Sequence, residues 1–214
     1  MEKLQVYNAS LLSNGLEERN VVHTQGLWHK TFHCWVVSAI DGGVILFQLR
    51  SKEKKSYPNM LDISAAGHLI DYEEEADGIR EVSEELGIEI NFNDLYSLGY
   101  RVEVDDAENG EKNREYQSVY LAEINTPLEE FVPQISEVSG LVWLKIEDAL
   151  SLFNGGLNSA RVNGIVYDKN EKKWISMQRE VYLTDFIPRI QKYYLTVAIM
   201  ADRLLKRQFP LAIS

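Results

Sequence analysis

The hydrophobic and polar positions in the first half of the chain follow a pattern that is typical of short β-strands. Two apolar, β-branched runs, 32–40 and 44–49, flank Asp41-Gly42-Gly43 and predict the clearest hairpin in the chain. Weaker runs predict further strands, with turns at Asn14-Gly15 and Asn109-Gly110. These further strands are expected at 4–7, 19–23, 95–104, 115–124 and 141–144.

Apolar residues spaced three and four positions apart predict two helices in the body of the chain. The first covers residues 74–86 and is stopped by Gly87, which is suited to the position after a helix end. The second covers residues 146–152 and ends at Asn154-Gly155-Gly156.

The last third of the chain gives a weaker pattern. Residues 157–182 carry only a faint hairpin signal, at 168–172. From Thr184 onward the pattern is helical, with Thr184 as a suitable N-cap and Pro188 near the first turn. We expect this helix to pack on the domain or on a second subunit, so a homodimer is compatible with the pattern. Its apolar stripe consists of Ile190, Tyr194, Val197, Ala201, Leu204 and Leu205.

The order of these elements predicts an α+β fold, in which helices cover a mixed β-sheet in an α/β/α sandwich. At 214 residues the chain is expected to form one domain, 1–214, with no internal repeat. We expect its core at about 30–152, preceded by an N-terminal hairpin within 1–29. A helical extension is expected to follow at about 157–214.

Composition excludes several classes of protein. The net charge of −11 disfavours binding of long nucleic acid, which needs a basic surface. No apolar run is long enough to predict a membrane-spanning helix, and the N-terminus lacks the pattern of a signal peptide. The single cysteine, Cys34, cannot form an internal disulfide. These features lead us to expect a cytoplasmic protein.

An acidic face distinguishes the helix predicted at 74–86. Arg80 is the only cation beside five carboxylates, so the carboxylates repel one another unless a cation lies between them. A solvated acidic face is the simplest interpretation. The alternative is a site for Mg²⁺ or Mn²⁺, which prefer oxygen ligands. The five carboxylates are Glu74, Asp77, Glu81, Glu84 and Glu85.

The ordered string around this helix resembles the signature of the Nudix hydrolase family, G-x5-E-x7-R-E-U-x-E-E-x-G-U, where U is a bulky aliphatic residue. In this chain only six residues separate Glu73 from Arg80, where the family has seven. The Nudix fold is also an α/β/α sandwich, in agreement with the order of elements. The matching positions are Gly67, Glu73, Arg80, Glu81, Val82, Glu84, Glu85, Gly87 and Ile88.

The resemblance implies a set of functional residues. Glu81, Glu84 and Glu85 would be the ligands of Mg²⁺ or Mn²⁺, Arg80 would orient them, and Gly67 would allow close approach of the backbone. The general base varies within the family, so Glu81 remains open for that role. Two other carboxylates could act as the base or as an extra ligand, Glu115 and Glu137.

A basic loop precedes the strand and turn at 61–67 that lead into the acidic helix. Its functional interpretation is a cationic lip for a phosphate-bearing substrate, and its simpler interpretation is a solvated loop. Arg50 and Lys54 are the candidate cations, and we add Gly67 and His68 to the candidate substrate-binding residues.

A second resemblance is to isopentenyl-diphosphate isomerases and their Nudix relatives, carried by Leu27-Trp28-His29, Lys55-Ser56-Tyr57-Pro58 and Ser64-Ala65-Ala66-Gly67-His68. In the isomerase, histidines and glutamates bind a metal, and a cysteine and a glutamate move protons at carbon. His23, His29, His68 and Glu115 fall near the metal-binding positions. The isomerase cysteine is replaced by Ala66, which removes the proton-transferring thiol.

These observations favour a Mg²⁺-dependent hydrolase that cleaves a diphosphate linkage in a small phosphorylated metabolite, such as a nucleoside diphosphate linked to another group. Two alternatives remain: an isomerase-like enzyme acting on an allylic diphosphate, and a non-catalytic Nudix-fold sensor that binds a nucleotide. The complete glutamate set argues against the sensor, and the missing cysteine argues against the isomerase.

Overall fold

A mixed β-sheet organises the chain in the computed structural model, which describes residues 2–106 and 110–213. The eleven strands of this described part form one sheet. The strands are β1 (Lys3–Tyr7), β2 (Ser13–Glu18), β3 (Trp28–Ser38), β4 (Val44–Arg50), β5 (Leu61–Asp62), β6 (Ala65–His68), β7 (Tyr96–Asp106), β8 (Lys112–Glu123), β9 (Val138–Lys145), β10 (Ala160–Asp168) and β11 (Lys173–Val181). The helices are α1 (Arg19–Gln25), α2 (Arg80–Leu86), α3 (Ile146–Phe153) and α4 (Tyr193–Leu205).

Strand β3 is the centre of the sheet. Along one edge it pairs in parallel with β8, from His29 opposite Glu115 to Val37 opposite Glu123. Its other edge is shared in turn by β1, β6 and β4, all antiparallel. The β3–β4 hairpin predicted around Asp41-Gly42-Gly43 is confirmed, with Val37 opposite Ile45. This arrangement brings β6 and the ends of β1 and β8 together near His29.

Two hydrophobic cores lie on opposite faces of the sheet. Because side chains alternate along a strand, Trp35 and Val37 of β3 enter one core, together with residues of α3 and α4. Phe32, Cys34 and Val36 enter the other core, which α2 covers with Val82 and Leu86. The predicted α/β/α sandwich is therefore confirmed. Among the described helices, none has both the length and the apolarity to cross a membrane.

The sequence predicted a helical C-terminal extension. The observed extension instead begins with a β-hairpin, and a helix follows it. The weak turn signal at 168–172 is confirmed: Asp168 accepts hydrogen bonds from the backbone N–H groups of Asn170 and Glu171. Strands β10 and β11 pair from Ala160 opposite Val181, and β10 extends the sheet by pairing with β9. Alternation in β10 is interrupted by half-buried positions, which weakened the strand pattern in the sequence.

Helix α4 begins at Tyr193, and the prediction of a helix start at Thr184 was wrong. Thr184 lies in a short turn that Asp185 closes by accepting a hydrogen bond from Tyr182 N. The following residues run extended, because Ile187 N donates to Leu61 O on β5 and Pro188 has no N–H to donate. The apolar stripe of α4 itself, including Val197 and Ala201, is buried against the domain.

The N-terminal segment also differs from the prediction. Residues 19–23, predicted as a strand, belong to α1, whose end is closed by Gly26 in the left-handed conformation. Asn14-Gly15 lies inside β2, and the hairpin turn precedes it. Asn8 forms this turn, because its side-chain oxygen accepts hydrogen bonds from the N–H groups of Ser10 and Leu12.

Helix α2 is shorter than the predicted helix at 74–86. A 3-10 turn at Asp77–Ile79 precedes Arg80, where the α-helix begins. Asp77 accepts a hydrogen bond from Glu74 N, so side-chain capping replaces a helical turn there. Glu74 and Asp77 are therefore not part of the acidic face of α2. The turn predicted at Asn109-Gly110 joins β7 and β8, but Asn109 lies outside the described residues.

Candidate active site

A polar cavity of about 930 Å³ lies beside α2. Its lining includes the carboxylates around α2, histidines near β3, and cations from the loop after β4 and the segment before α4. Strands β7 and β8 add further carboxylates, among them Glu103, Asp105 and Glu115. All of the predicted site residues line this cavity. These are Arg50, Lys54, Gly67, His68, Arg80, Glu81, Glu84, Glu85, Glu115 and Glu137.

Arg80 connects the carboxylates at one wall of the cavity. Its guanidinium forms two hydrogen bonds with Glu73, Nε to Oε1 at 2.8 Å and Nη2 to Oε2 at 3.0 Å. Nη1 donates to Glu81 at 2.6 Å and to Glu84 at 3.2 Å, while Nη2 also donates to the carbonyl of His68. Glu73 thus pairs with Arg80 even though the loop between them is one residue shorter than in the family signature.

Glu85 is the most buried carboxylate of this wall, with the residue 6% exposed. It accepts hydrogen bonds from Ala66 N at 2.9 Å and from Gln48 Nε2 at 3.0 Å. Burial nevertheless raises the pKa of Glu85 from its ordinary value of 4.5 to about 8. Burial also raises the pKa of Glu81, although Arg80 opposes the shift.

This group of carboxylates fits a hard divalent cation, because a cation would supply the positive charge that the buried groups lack. Glu85 lies deepest, Glu81 is mostly buried, and the side chain of Glu84 is 52% exposed at the mouth. Carboxylate oxygens of this kind are the donors that suit Mg²⁺ or Mn²⁺.

Gly67 is required by the position of Glu81. A Cβ atom added at Gly67 would overlap the carboxyl group of Glu81. The glycine lies on β6, opposite Phe32 of β3, so the sheet fixes its backbone. The family signature implies a close approach to the backbone at this glycine. In this chain the group that approaches the backbone of Gly67 is the Glu81 carboxylate.

A second group of possible ligands lies beside this cavity, which three of its four members line. His23, His29, His68 and Glu115 each offer one ligand atom, and these four atoms lie within 4.8 Å of one another. His23 comes from α1, His29 from β3, His68 from β6 and Glu115 from β8. The central position of β3 in the sheet is what brings together residues so distant in sequence.

The hydrogen bonds of these histidines leave nitrogen lone pairs inside the group. Nδ1 of His29 lies 2.9 Å from Leu27 O, and Nδ1 of His23 lies 2.9 Å from Arg19 O. Because a carbonyl only accepts, we assign the proton to Nδ1 in both rings. The remaining Nε2 of His23 is 3.2 Å from Nε2 of His68, and Nε2 of His29 is buried without a hydrogen-bond partner.

Burial also keeps the rings of His29 and His68 neutral. It lowers the pKa of His29, although Glu115 opposes the shift, and it lowers the pKa of His68 well below the ordinary value. Neutral imidazoles whose other nitrogen donates to a carbonyl are the usual protein ligands of first-row transition metals. His23 and His29 are of this kind, and with a nitrogen of His68 and an oxygen of Glu115 they fit an ion of that class.

Lys54 and Arg50 of the cationic wall each contact a carboxylate. Lys54 forms an ion pair with Glu137, and burial, with the charge of Arg50, lowers the pKa of Lys54. Arg50 donates to the carbonyl of Ser56 at 3.0 Å and lies 3.4 Å from Asp62. The predicted cationic lip is thus present, and Glu137 lies within it.

Sequence reasoning missed Arg189 and Asp62, which also line the cavity. Arg189 Nη2 donates to Asp62 Oδ1 at 2.6 Å, across 127 positions of sequence. The segment that carries Arg189 is docked on β5 by the hydrogen bond from Ile187 to Leu61. No motif marks Arg189, because its position depends on this contact between distant elements.

Cys34 is fully buried in the core beneath α2, and burial raises the pKa of its thiol to about 12. The neighbouring strand places Ala66, not a thiol, at the cavity. The buried thiol of Cys34 therefore cannot exchange protons with a ligand in the cavity.

Comparisons with known proteins agree with this geometry. An uncharacterized Nudix hydrolase of Clostridium acetobutylicum is 32% identical over 205 residues, which cover 94% of this chain and 98% of the relative. An isopentenyl-diphosphate Delta-isomerase of Paenarthrobacter aurescens is 32% identical over 126 residues, covering 57% of this chain and 65% of that enzyme. No protein-family model matches the chain.

Solved structures share the fold. The crystal structure of DR0079 from Deinococcus radiodurans matches 72% of this chain and 90% of its own, with a TM-score of 0.55 and 21% identity. A MutT/nudix family protein from Enterococcus faecalis matches 83% of this chain and 62% of its own, with a TM-score of 0.52 and 13% identity. At these identities the likeness extends to the fold alone.

Proposed function

The chain belongs to the Nudix hydrolase family, and from this premise we propose that it hydrolyses a diphosphate linkage in a small phosphorylated metabolite with a bound divalent cation. The observation that carries the proposal is that Glu81 and Glu84, both bonded to Arg80, share the wall of a polar cavity with the buried Glu85. An acidic face that served only for solubility would not need a carboxylate as buried as Glu85.

The chain's own residues divide the work. Glu81, Glu84 and Glu85 would hold Mg²⁺ or Mn²⁺, which when bound would offset charge on the phosphate oxygens and lower the pKa of a water molecule. Arg80 orients Glu81 and Glu84 through its hydrogen bonds, and Glu73 in turn fixes Arg80. Lys54 binds phosphate oxygens of the diphosphate at the other wall, and Arg50 lies near it on the same wall.

We assign acceptance of the proton from the attacking water to Glu137. This carboxylate lines the cavity outside the set proposed to hold the cation, and its ion pair with Lys54 favours the ionised form. Glu115 takes the other role that was open for it, as a ligand with His23, His29 and His68. We propose that this second group binds a transition-metal ion.

The histidine group favours a second candidate function, an isomerase-like reaction on an allylic diphosphate, because the isomerase resemblance carries the same residues. The buried thiol of Cys34 and the presence of Ala66 at the cavity oppose it. Hydrolysis needs no thiol and is therefore the function that the site supports better.

A product assay tests the proposal. Nucleoside triphosphates, nucleotide sugars, dinucleotides, ADP-ribose, coenzyme A and isopentenyl diphosphate would be incubated with Mg²⁺, and both phosphate release and isomerised product measured. Wild type should release phosphate or a monophosphate from at least one compound, and Glu85→Gln should not. Glu89→Gln, which changes an exposed glutamate just beyond α2, is the matched control. Isomerised product without phosphate release would support the second candidate.

A further inference from the structure

We infer that Arg50 and Arg189, bridged by Asp62, form a second oxyanion subsite in the cavity, which binds an anionic group carried by the substrate at a distance from the diphosphate linkage. As a statement about substrate class the inference rests on the proposed hydrolase function. As a statement about anion binding it stands on the geometry of these three residues.

The charges around Asp62 do not balance. Its two carboxylate oxygens face different arginines, with Oδ1 2.6 Å from Arg189 Nη2 and Oδ2 3.4 Å from Arg50 Nη1. A single carboxylate cannot neutralise two guanidinium groups, which stay charged in proteins. All three residues line the cavity, so both guanidinium groups lie at its wall.

Two further carboxylates lie near this pair of arginines, Glu103, which also acts on Arg189, and Asp105. Arg101 and Glu103 form their own buried ion pair. His33 is kept neutral, because burial and the nearby Arg189 and Arg101 lower its pKa well below the ordinary value. Tyr57 is uncharged at neutral pH and donates its hydroxyl proton to Asp105 at 3.1 Å.

The two arginines are held ready to bind. Arg50 Nη2 donates to the carbonyl of Ser56, and the Nε atoms of Arg50 and Arg189 are buried without hydrogen-bond partners. Arg189 is positioned by its backbone, because Ile187 N donates to Leu61 O and Tyr194 donates its hydroxyl proton to Ile187 O at 3.0 Å. A preorganised fork of this kind binds an oxyanion with little loss of conformational entropy.

The rest of the lining limits what the anion can be attached to. Apart from histidines, Tyr57 is the only aromatic side chain that the described residues contribute to the cavity. Its apolar lining is likewise sparse, and includes Ala66, Ile70 and Ile187. Ligand pockets for flat bases or long hydrocarbon chains are usually built from aromatic and aliphatic side chains. The substrate is therefore a compact, polar diphosphate that also carries a second phosphate or a carboxylate.

Binding of inorganic phosphate tests the subsite without any turnover. Calorimetric titration would be carried out on the full chain in buffer without added divalent cation. Wild type should bind phosphate, and Arg189→Gln should bind it at least about tenfold more weakly, since each charge-assisted contact contributes strongly. Arg161→Gln removes an exposed arginine outside the cavity and should bind as wild type does. Equal binding by wild type and Arg189→Gln would overturn the inference.

Two further measurements complete the test. If Arg189→Gln does not fold, Arg50→Gln removes the other half of the fork and should weaken phosphate binding to a similar degree. Malonate in place of phosphate separates a carboxylate-binding subsite from a phosphate-binding one. In the hydrolysis assay, Arg189→Gln should have a lower kcat/KM than wild type only for compounds that bear a second anionic group. Absence of all turnover would count against the proposed function and leave the phosphate result intact.

Discussion

Glu85 allows one consequence of the account to be worked out in numbers. Its pKa is raised from 4.5 to about 8 in the folded, metal-free protein, so between these values the folded state binds more protons than the unfolded state. Stability is then greatest at low pH and falls as the pH rises toward 8. Glu85→Gln replaces the carboxyl with a neutral group of similar shape, which still accepts a hydrogen bond from Ala66 N.

The size of the effect follows from the shift. Between about pH 6 and pH 8, a single carboxyl with these two pKa values costs the folded state about 2 kcal/mol. For a domain of this size that corresponds to a relative fall in Tm of about 4 to 8 °C. Without added cation, the Tm of wild type should fall by this amount relative to the Tm of Glu85→Gln.

Thermal unfolding followed by circular dichroism over this pH range would measure the difference, with Glu89→Gln as a control that follows wild type. Added Mg²⁺ should raise the Tm of wild type most at the higher pH, where no proton competes for the carboxylate, and should have little effect on Glu85→Gln. Parallel pH profiles of wild type and Glu85→Gln would refute the assignment of a buried, protonated carboxyl at this position.

Four other changes test separate parts of the site. Glu137→Gln should lower kcat by about a hundredfold, with the Mg²⁺ dependence unchanged; a matching loss of Mg²⁺ affinity would instead make it a ligand. Gly67→Ala should abolish turnover, because the new methyl group would displace the carboxyl group of Glu81. Turnover at the wild-type rate would contradict this role of Gly67. His23→Ala should reduce the transition-metal content measured by elemental analysis, whereas equal content would exclude the ligand role. Tyr193→Phe should lower the free energy of unfolding by about 2 kcal/mol in urea, because two buried partners lose their hydrogen bond, and an unchanged value would argue against it.

The part of the site that is contiguous in sequence was predictable. Arg80 and the glutamates of α2 follow one another at spacings of one and three positions. This spacing already indicated that they lie close together on the helix. The start of the helix was not predictable from that spacing. The α-helix begins only at Arg80, because the Asp77 side chain accepts a hydrogen bond from Glu74 N and so competes with helical hydrogen bonds before it.

The residues that long-range contacts bring together required the structure. The histidine group is built where β6 and β8 pair with β3, with α1 preceding β3, and only the family resemblance pointed to it from sequence. Arg189 had no such resemblance to mark it, since docking of its segment on β5 places it in the cavity. The sequence indicated the β10–β11 hairpin only weakly, because half-buried positions interrupt the alternation of buried and exposed residues along β10.

The central claim is that the glutamates of α2 support hydrolysis of a diphosphate linkage. The most direct test is phosphate release as a function of Mg²⁺ concentration, measured on the best compound of the panel for wild type, Glu85→Gln and Glu89→Gln. The account predicts Mg²⁺-dependent release by wild type and Glu89→Gln, and a loss of at least about a hundredfold in Glu85→Gln. Release at the wild-type rate by Glu85→Gln, or independent of Mg²⁺, would contradict it.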